Sequence, residues 1–194
     1  MSLGLRWGVK EPTEPVFRTG ARSAGLEEFV MRLRQRTRPH LYDVGPAPGK
    51  NIVTFAGFGF VVHVDAEKDH RLSGVPPESL DFEDGFLDGA LLWDLVDFLP
   101  QGRVEPFVQD LTRAMKPGGL VFLLSSASRQ NGPGPVFTYL VEDGMQIGAK
   151  HVEGTLAARV PRENRDIFRI FDRFENVSLH LLRSGMRELL LKRR

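Results

Sequence analysis

The residues with the most chemical promise in this 194-residue chain gather in one turn, Asp43-Val44-Gly45-Pro46-Ala47-Pro48-Gly49. A glycine turn between a strand and a helix brings backbone N–H groups close to a bound anion or ribose, because no Cβ intervenes. Two chemistries fit its spacing poorly. A triphosphate-cradling loop needs four residues between Gly and Gly-Lys, then Ser or Thr for Mg²⁺. Here Gly45 to Gly49 leaves three, and Asn51 follows Lys50. A nicotinamide or flavin site wants Gly-x-Gly-x-x-Gly, but Ala47 stands where the second Gly belongs and the third is missing. Two further carboxylates sit at the ends of apolar runs: Asp65 after Phe60–Val64, and Asp94 after Leu87–Trp93. Asp94 could serve as a base or orienting group, or simply cap a following helix.

Other chemistries find little support. There is no Cys, which excludes disulfides, thiol nucleophiles, Cys-ligated zinc and iron–sulfur clusters. The five His residues show no metal-ligand spacing; His63, inside an apolar strand, reads as a core histidine. Ser125, Ser126 and Ser128 lack the context of a nucleophile elbow. Lys plus Arg number 26 against 25 Asp plus Glu, so charge offers no general pull toward nucleic acid or anionic lipid. No run approaches the roughly 18 apolar residues of a membrane span, and no signal-peptide pattern opens the chain. The composition predicts a soluble, cytoplasmic protein.

The elements that must hold these residues alternate. Residues 1–22 read as an irregular arm. Leu26, Phe29, Val30 and Leu33 then fall at helical spacing behind Ser23, a natural N-cap. His40–Val44 reads as a strand, followed by the glycine turn and a helix from Ile52 to Ala56. Phe60–Asp65 reads as a second strand, and Leu87–Trp93 as a third. A helix over Val104–Met115, a turn at Lys116-Pro117-Gly118-Gly119 and an apolar strand Leu120–Leu124 follow. Alternation of this kind predicts a parallel sheet. Beyond Ser125, Thr138–Val141 and Met145–Gly148 flank a hairpin turn at Glu142-Asp143-Gly144. A short helix is predicted near Asn164–Phe174. Val177–Leu182 and Met186–Leu191 are joined too tightly for anything but an antiparallel pair. Arg162, Arg165, Arg169 and Arg173 recur at helical steps among acidic residues and predict a solvated, salt-bridged face.

The turn Asp43–Gly49 resembles the acid-x-Gly-x-Gly-x-Gly turn of class I S-adenosylmethionine-dependent methyltransferases, with Ala47 for the middle glycine. Asp65, 22 residues beyond Asp43, stands where that family holds the ribose hydroxyls. Phe82–Asp94 is similar to its fourth-strand region, Leu111–Gly119 to its helix closing on Lys-Pro-Gly-Gly, and the terminal pair to its reversed last strand. The resemblance covers about residues 38–192. It implies an α/β, doubly wound, mostly parallel sheet with helices on both faces and an antiparallel C-terminal strand pair. Residues 23–194 would form one domain, with a cap or flap at about 126–162.

The implied cofactor is S-adenosylmethionine, with S-adenosylhomocysteine as product. The resemblance assigns Asp43, Gly45, Pro46, Ala47, Gly49, Asp65 and Trp93 to its binding, with Glu67 a substitute for Asp65, and Asp94 to catalysis. Methyl transfer is an in-line displacement that rests chiefly on positioning. The implied acceptor is a small molecule or a protein rather than nucleic acid, and the 126–162 segment could also support a homo-oligomer. Two departures stand beside these expectations. Asp65 to Asp88 spans only 23 residues, short for the helix and strand the family places there. The adenine-binding acid is matched only loosely before Leu80–Phe82, where Pro77, Glu78 and Ser79 occur and Glu78 would have to substitute for it. The alternative is a non-catalytic binding or scaffold protein on the same fold.

Overall fold

A computed structural model describes residues 18–65, 69–77, 79–127 and 132–194. Arg18–Arg22 forms β1, inside the stretch expected to be an irregular arm; its partner lies more than 120 residues away, beyond the reach of local pattern. Helix α1 (Ala24–Leu33) starts where Ser23 accepts a hydrogen bond from the Leu26 N–H, and it buries Leu26, Phe29, Val30 and Leu33. It packs on the sheet through Gly89, where a Cβ would lie 2.6 Å from Leu33 Cδ1. The sheet therefore needs glycine at that point.

Strand β2 (His40–Asp43), α2 (Gly49–Gly57), β3 (Val61–Val64), the one-turn helix α3 (His70–Ser73) and β4 (Leu87–Trp93) follow. A short 3₁₀ helix at Leu95–Phe98 leads to α4 (Gln101–Ala114) and β5 (Met115–Ser126). Then come β6 (Gly132–Glu142), β7 (Gln146–Arg159), α5 (Asn164–Ile170), β8 (Phe174–Leu181) and β9 (Met186–Arg193). The main sheet has the order β3-β2-β4-β5-β9-β8, in which β3, β2, β4 and β5 are parallel and β9 runs against both neighbours. All seven residues of β4 are buried, as a central parallel strand covered on both faces requires. One core layer joins the sheet to α4 and α5, and a second joins it to α1 and α2. The doubly wound architecture expected from the sequence is the observed one.

The compression between Asp65 and Asp88 has a structural counterpart. Among the described residues only α3 lies between β3 and β4, and β3 is the edge of the sheet. The turn at Lys116–Gly119 becomes an irregularity inside β5, whose pairing steps from Leu87↔Met115 to Gly89↔Leu120. At this N-terminal end of the strands Asp88 gathers Arg36, Lys116 and the His40 N–H.

The segment 126–162 contributes β6 and β7, paired through the expected turn at 142–144, and β1 completes a second, three-stranded sheet on β7. Residues of this sheet belong to the same core layer as α1 and α2. Arg162 departs from the solvated face expected of it. It precedes α5, is 5% exposed, and donates to the Val96 and Leu99 carbonyls. Arg187 in turn donates to the Arg162 carbonyl, 2.7 Å away, so the two lock the chain returning from β7 to the sheet.

Candidate functional site

In doubly wound folds the ligand crevice opens at the carboxyl ends of the strands, where connections diverge to either side. Here that switch point falls between β2, whose connection runs to β3 at the edge, and β4 on its other side. Asp43 ends β2 and Trp93 ends β4, with Val44 N–H bonded to the Leu91 carbonyl at 3.0 Å. The sequence-predicted residues Asp43, Gly45, Pro46, Ala47, Gly49, Trp93 and Asp94 are thus brought to one end of the sheet, and Asp65 follows β3 beside them.

Several of them bond to one another there. Trp93 adopts a left-handed backbone (φ 46°), and its indole Nε1 donates to Asp43 Oδ1 at 2.6 Å, bridging the switch point. Asp43 is fully buried and its Oδ2 has no partner among the described residues. Burial pushes its carboxyl up to about 7, and the single Trp93 bond pulls only weakly the other way. The Trp93 ring stacks on Tyr139 of β6, with centroids 5.4 Å apart and planes 10° from parallel. Tyr139 Oη donates to Asp94 Oδ2 at 2.8 Å. The other Asp94 oxygen accepts from the Arg71 guanidinium at 3.0 Å. Arg71, 6% exposed, also grips Asp69 through Nε and a terminal nitrogen at 2.8 and 2.7 Å, and donates to the Phe137 carbonyl. Burial alone would lower the Arg71 pKa, but Asp69 and Asp94 outweigh it and hold the cation firmly charged.

Helix α2 is tied into the same assembly. Asn51, completely buried, donates to the Tyr139 carbonyl at 3.0 Å and accepts from the Val141 N–H at 2.8 Å, so its amide serves β6 as a neighbouring strand would. Asp65 is committed as well: its carboxylate meets His70 Nε2 at 2.6 Å, while His70 Nδ1 faces the Val75 carbonyl at 2.8 Å. Asp94 does not cap the 3₁₀ helix after it, since no side-chain cap bond forms there. The stand-ins Glu67 and Glu78 lie outside the described residues.

Arg71, Asp69, His70, Asn51 and Tyr139 were not singled out for the site from sequence. Asn51 had one usable signal, a polar residue on the inward side of an apolar helix. Arg71 and His70 sit in a segment without periodicity, and only tertiary contacts place them.

One small space beside the turn, about 10 Å³, is lined by Val44, Pro46, Arg71, Leu92, Trp93, Thr138 and Tyr139. That is about one water, whereas small-molecule sites run to about 300–1,000 Å³. The turn's outward side stays clear, because a Cβ added at Gly45 (φ 124°) or Gly49 would meet nothing within 4 Å. Among the described residues no cluster of His, Asp or Glu is placed to hold a metal, and no helix is long and apolar enough to cross a membrane.

No family model matches the chain, and no curated protein matches it. Solved structures do. A S-adenosylmethionine-dependent methyltransferase from Methanosarcina mazei is similar at 14% identity and TM-score 0.55, over 84% of this chain and 96% of that one. The 1,6-didemethyltoxoflavin-N1-methyltransferase of Burkholderia thailandensis, with S-adenosylhomocysteine bound, is similar at 14% identity and TM-score 0.55, over 88% of this chain and 78% of that one. An amino pentose methyltransferase from Micromonospora echinaspora, with S-adenosylmethionine bound, is similar at 15% identity and TM-score 0.53, over 92% and 94%. The chain has the class I methyltransferase fold, and neighbours of that fold carry S-adenosylmethionine or its demethylated product. In this chain the Asp43–Trp93–Tyr139–Asp94–Arg71 assembly stands at the carboxyl ends of β2 and β4.

Proposed function

We propose that this chain uses the methyltransferase fold as a non-catalytic binding scaffold, with its own side chains standing in the cofactor's place. The carrying observation is the internal assembly at the switch point: Trp93 bonds Asp43 and stacks on Tyr139, Arg71 and Tyr139 both bond Asp94, and the space they line together measures about 10 Å³. Each potential ligand-holding carboxylate already has an internal donor, Trp93 for Asp43, His70 for Asp65, and Arg71 with Tyr139 for Asp94. Opening the crevice would leave Arg71, Asp69 and Asp94 seeking new partners, which is costly for buried charges. The return for the fold is a sheet whose carboxyl ends are sealed by β6 rather than by a ligand.

A second reading, a S-adenosylmethionine-dependent methyltransferase whose crevice opens when β6 withdraws, is favoured by one observation. Asp43 keeps a buried oxygen without a partner, and the glycine turn above it is unobstructed. In that state Asp43 would orient the turn, Asp65 would hold the ribose, and the acceptor would be a small molecule or a protein near Asp94.

Thermal unfolding with S-adenosylhomocysteine separates the two. A ligand present at 100 times its Kd adds about 2.7 kcal/mol, which for a chain of this size raises Tm by roughly 5–11 °C. The scaffold reading expects no rise at millimolar ligand, in the native chain or in Asp65→Ala. A rise in the native chain that Asp65→Ala abolishes would establish the cofactor site and overturn the scaffold reading.

A further inference from the structure

Tyr139 also lines a second, larger space. It measures about 220 Å³ and is walled mainly by Leu124 at the end of β5, Phe137, Ile147 and Ala149 of the hairpin, and Met186 at the start of β9. Its surroundings are predominantly hydrocarbon, and the charged side chain on its wall is Arg159.

Arg159 has few partners. One terminal nitrogen donates to the Pro135 carbonyl at 3.0 Å, and the guanidinium lies 5.1 Å from the centre of the Phe98 ring. Its Nε is buried without a partner, and no carboxylate of the described residues lies within ion-pair distance. Asp97 acts on it only through space, since that carboxylate accepts from Ser125 Oγ at 2.8 Å and the Ser126 N–H at 2.6 Å. A guanidinium never gives up its proton in a protein, so the cavity wall bears a permanent positive charge with an aromatic face and a carbonyl as its local company. Arg71, buried nearby, has two carboxylates by contrast.

We infer that this cavity binds a short apolar carboxylate, its hydrocarbon chain lying among Leu124, Phe137, Ile147 and Met186 and its carboxylate paired with Arg159. The size follows from volume. An apolar cavity of about 150 Å³ takes a benzene, so 220 Å³ suits a ligand of roughly nine heavy atoms. The head group follows from charge: a carboxylate would supply the ion pair that Arg159 lacks, an alcohol only a hydrogen bond, and an ammonium a repulsion. This inference names a ligand for the binding role proposed above and rests on it.

Isothermal titration of the full chain with straight-chain carboxylates from butanoate to decanoate, with the matched alcohols and amines, tests it. Kd should tighten about fourfold per added methylene, reach its best value near heptanoate, and worsen once the chain outgrows the cavity. The matched alcohol should bind at least tenfold more weakly and the amine not at all. Arg159→Gln should bring acid and alcohol to equal affinity, and Ala149→Phe, which fills the space, should remove binding of both. Should either variant fail to fold, the acid–alcohol–amine comparison on the native chain still decides. Absence of binding for every carboxylate at millimolar concentration overturns the inference, as does an alcohol that binds as tightly as its acid. S-adenosylhomocysteine is titrated alongside: its binding would overturn the scaffold reading, whereas failure of the carboxylates alone would overturn only the ligand assigned here.

Discussion

Two aspartates on neighbouring parallel strands, at opposite ends of the sheet, carry the same side chain in opposite circumstances. Asp88, on β4 near its start, accepts from Lys116 at 2.7 Å, from Arg36 at 2.9 Å and from the His40 N–H at 2.9 Å. Burial works to raise its pKa, but those three donors prevail and hold it below the usual carboxylate range. Asp43, at the end of β2, has the Trp93 indole for one oxygen and nothing for the other, and burial lifts it to about 7. A carboxylate kept at a structural end is surrounded by donors. One left half-satisfied at the switch-point end is governed by burial instead. Around it stand a tryptophan, a tyrosine and an Arg–Asp pair.

The sharpest way to break this arrangement is Arg71→Ala. The substitution strips Asp94, which is 1% exposed, of its cation and leaves Asp69 without its bidentate partner. Removing one member of a buried ion pair costs about 3–5 kcal/mol. Chemical denaturation at pH 7 should show a loss of that size, larger than for any single change at the Asp88 end. A loss under about 1 kcal/mol would mean that the cation is solvated in practice and that the crevice is not sealed.

Asp43→Asn acts in the other direction. An unfolded aspartate ionises near pH 4, whereas folded Asp43 does so at about 7. Between those values the folded chain holds a proton that the unfolded chain has released. Stability therefore falls as pH rises through the window and stays reduced above it. Asparagine keeps an acceptor for Trp93 and carries no charge, so the variant should be the more stable protein at pH 8, by up to about 4 kcal/mol. The two proteins should converge near pH 4. Part of the slope will persist in the variant below pH 6, because burial also raises Asp97, to about 6. A variant no more stable than the native chain at pH 8 would show that Asp43 has found a donor.

These contrasts also show what the sequence could reveal. β4 was legible because Leu87 and Ala90–Trp93 are apolar and Asp94 ends the run, and the hairpin turn because Glu142-Asp143-Gly144 interrupts two apolar runs. The glycine turn located the end of the sheet where Asp43 and Trp93 meet. It could not reveal that they would bond to each other, since that depends on a positive φ at Trp93 and on Tyr139 arriving from about 45 residues downstream. Arg71 was illegible for the same reason: its partners Asp94 and Phe137 are 23 and 66 residues away. Arg162 misled through its spacing. Its series has a helical period, but the helix begins only at Asn164, and the two buried carbonyls it serves follow β4.

The smallest expected effect closes the comparison from the Asp88 side. Asp88→Asn retains one acceptor for the His40 N–H but removes the charge facing Lys116 and Arg36. Both cations are partly solvated, at 41% and 29% side-chain exposure, so screening limits the loss to about 1–2 kcal/mol at pH 7. The sign is opposite to that of Asp43. A depressed carboxylate stabilises above its unfolded pKa and loses that contribution as pH falls through its folded value. The native advantage over Asp88→Asn should therefore hold through neutral pH, shrink below about pH 4, and diminish in 1 M salt as the exposed cations are screened. Measured together, the two Asp→Asn variants should move stability at pH 8 in opposite directions. Two losses there would mean that Asp43 is as well supplied with donors as Asp88, and the distinction between the two ends of the sheet would fall.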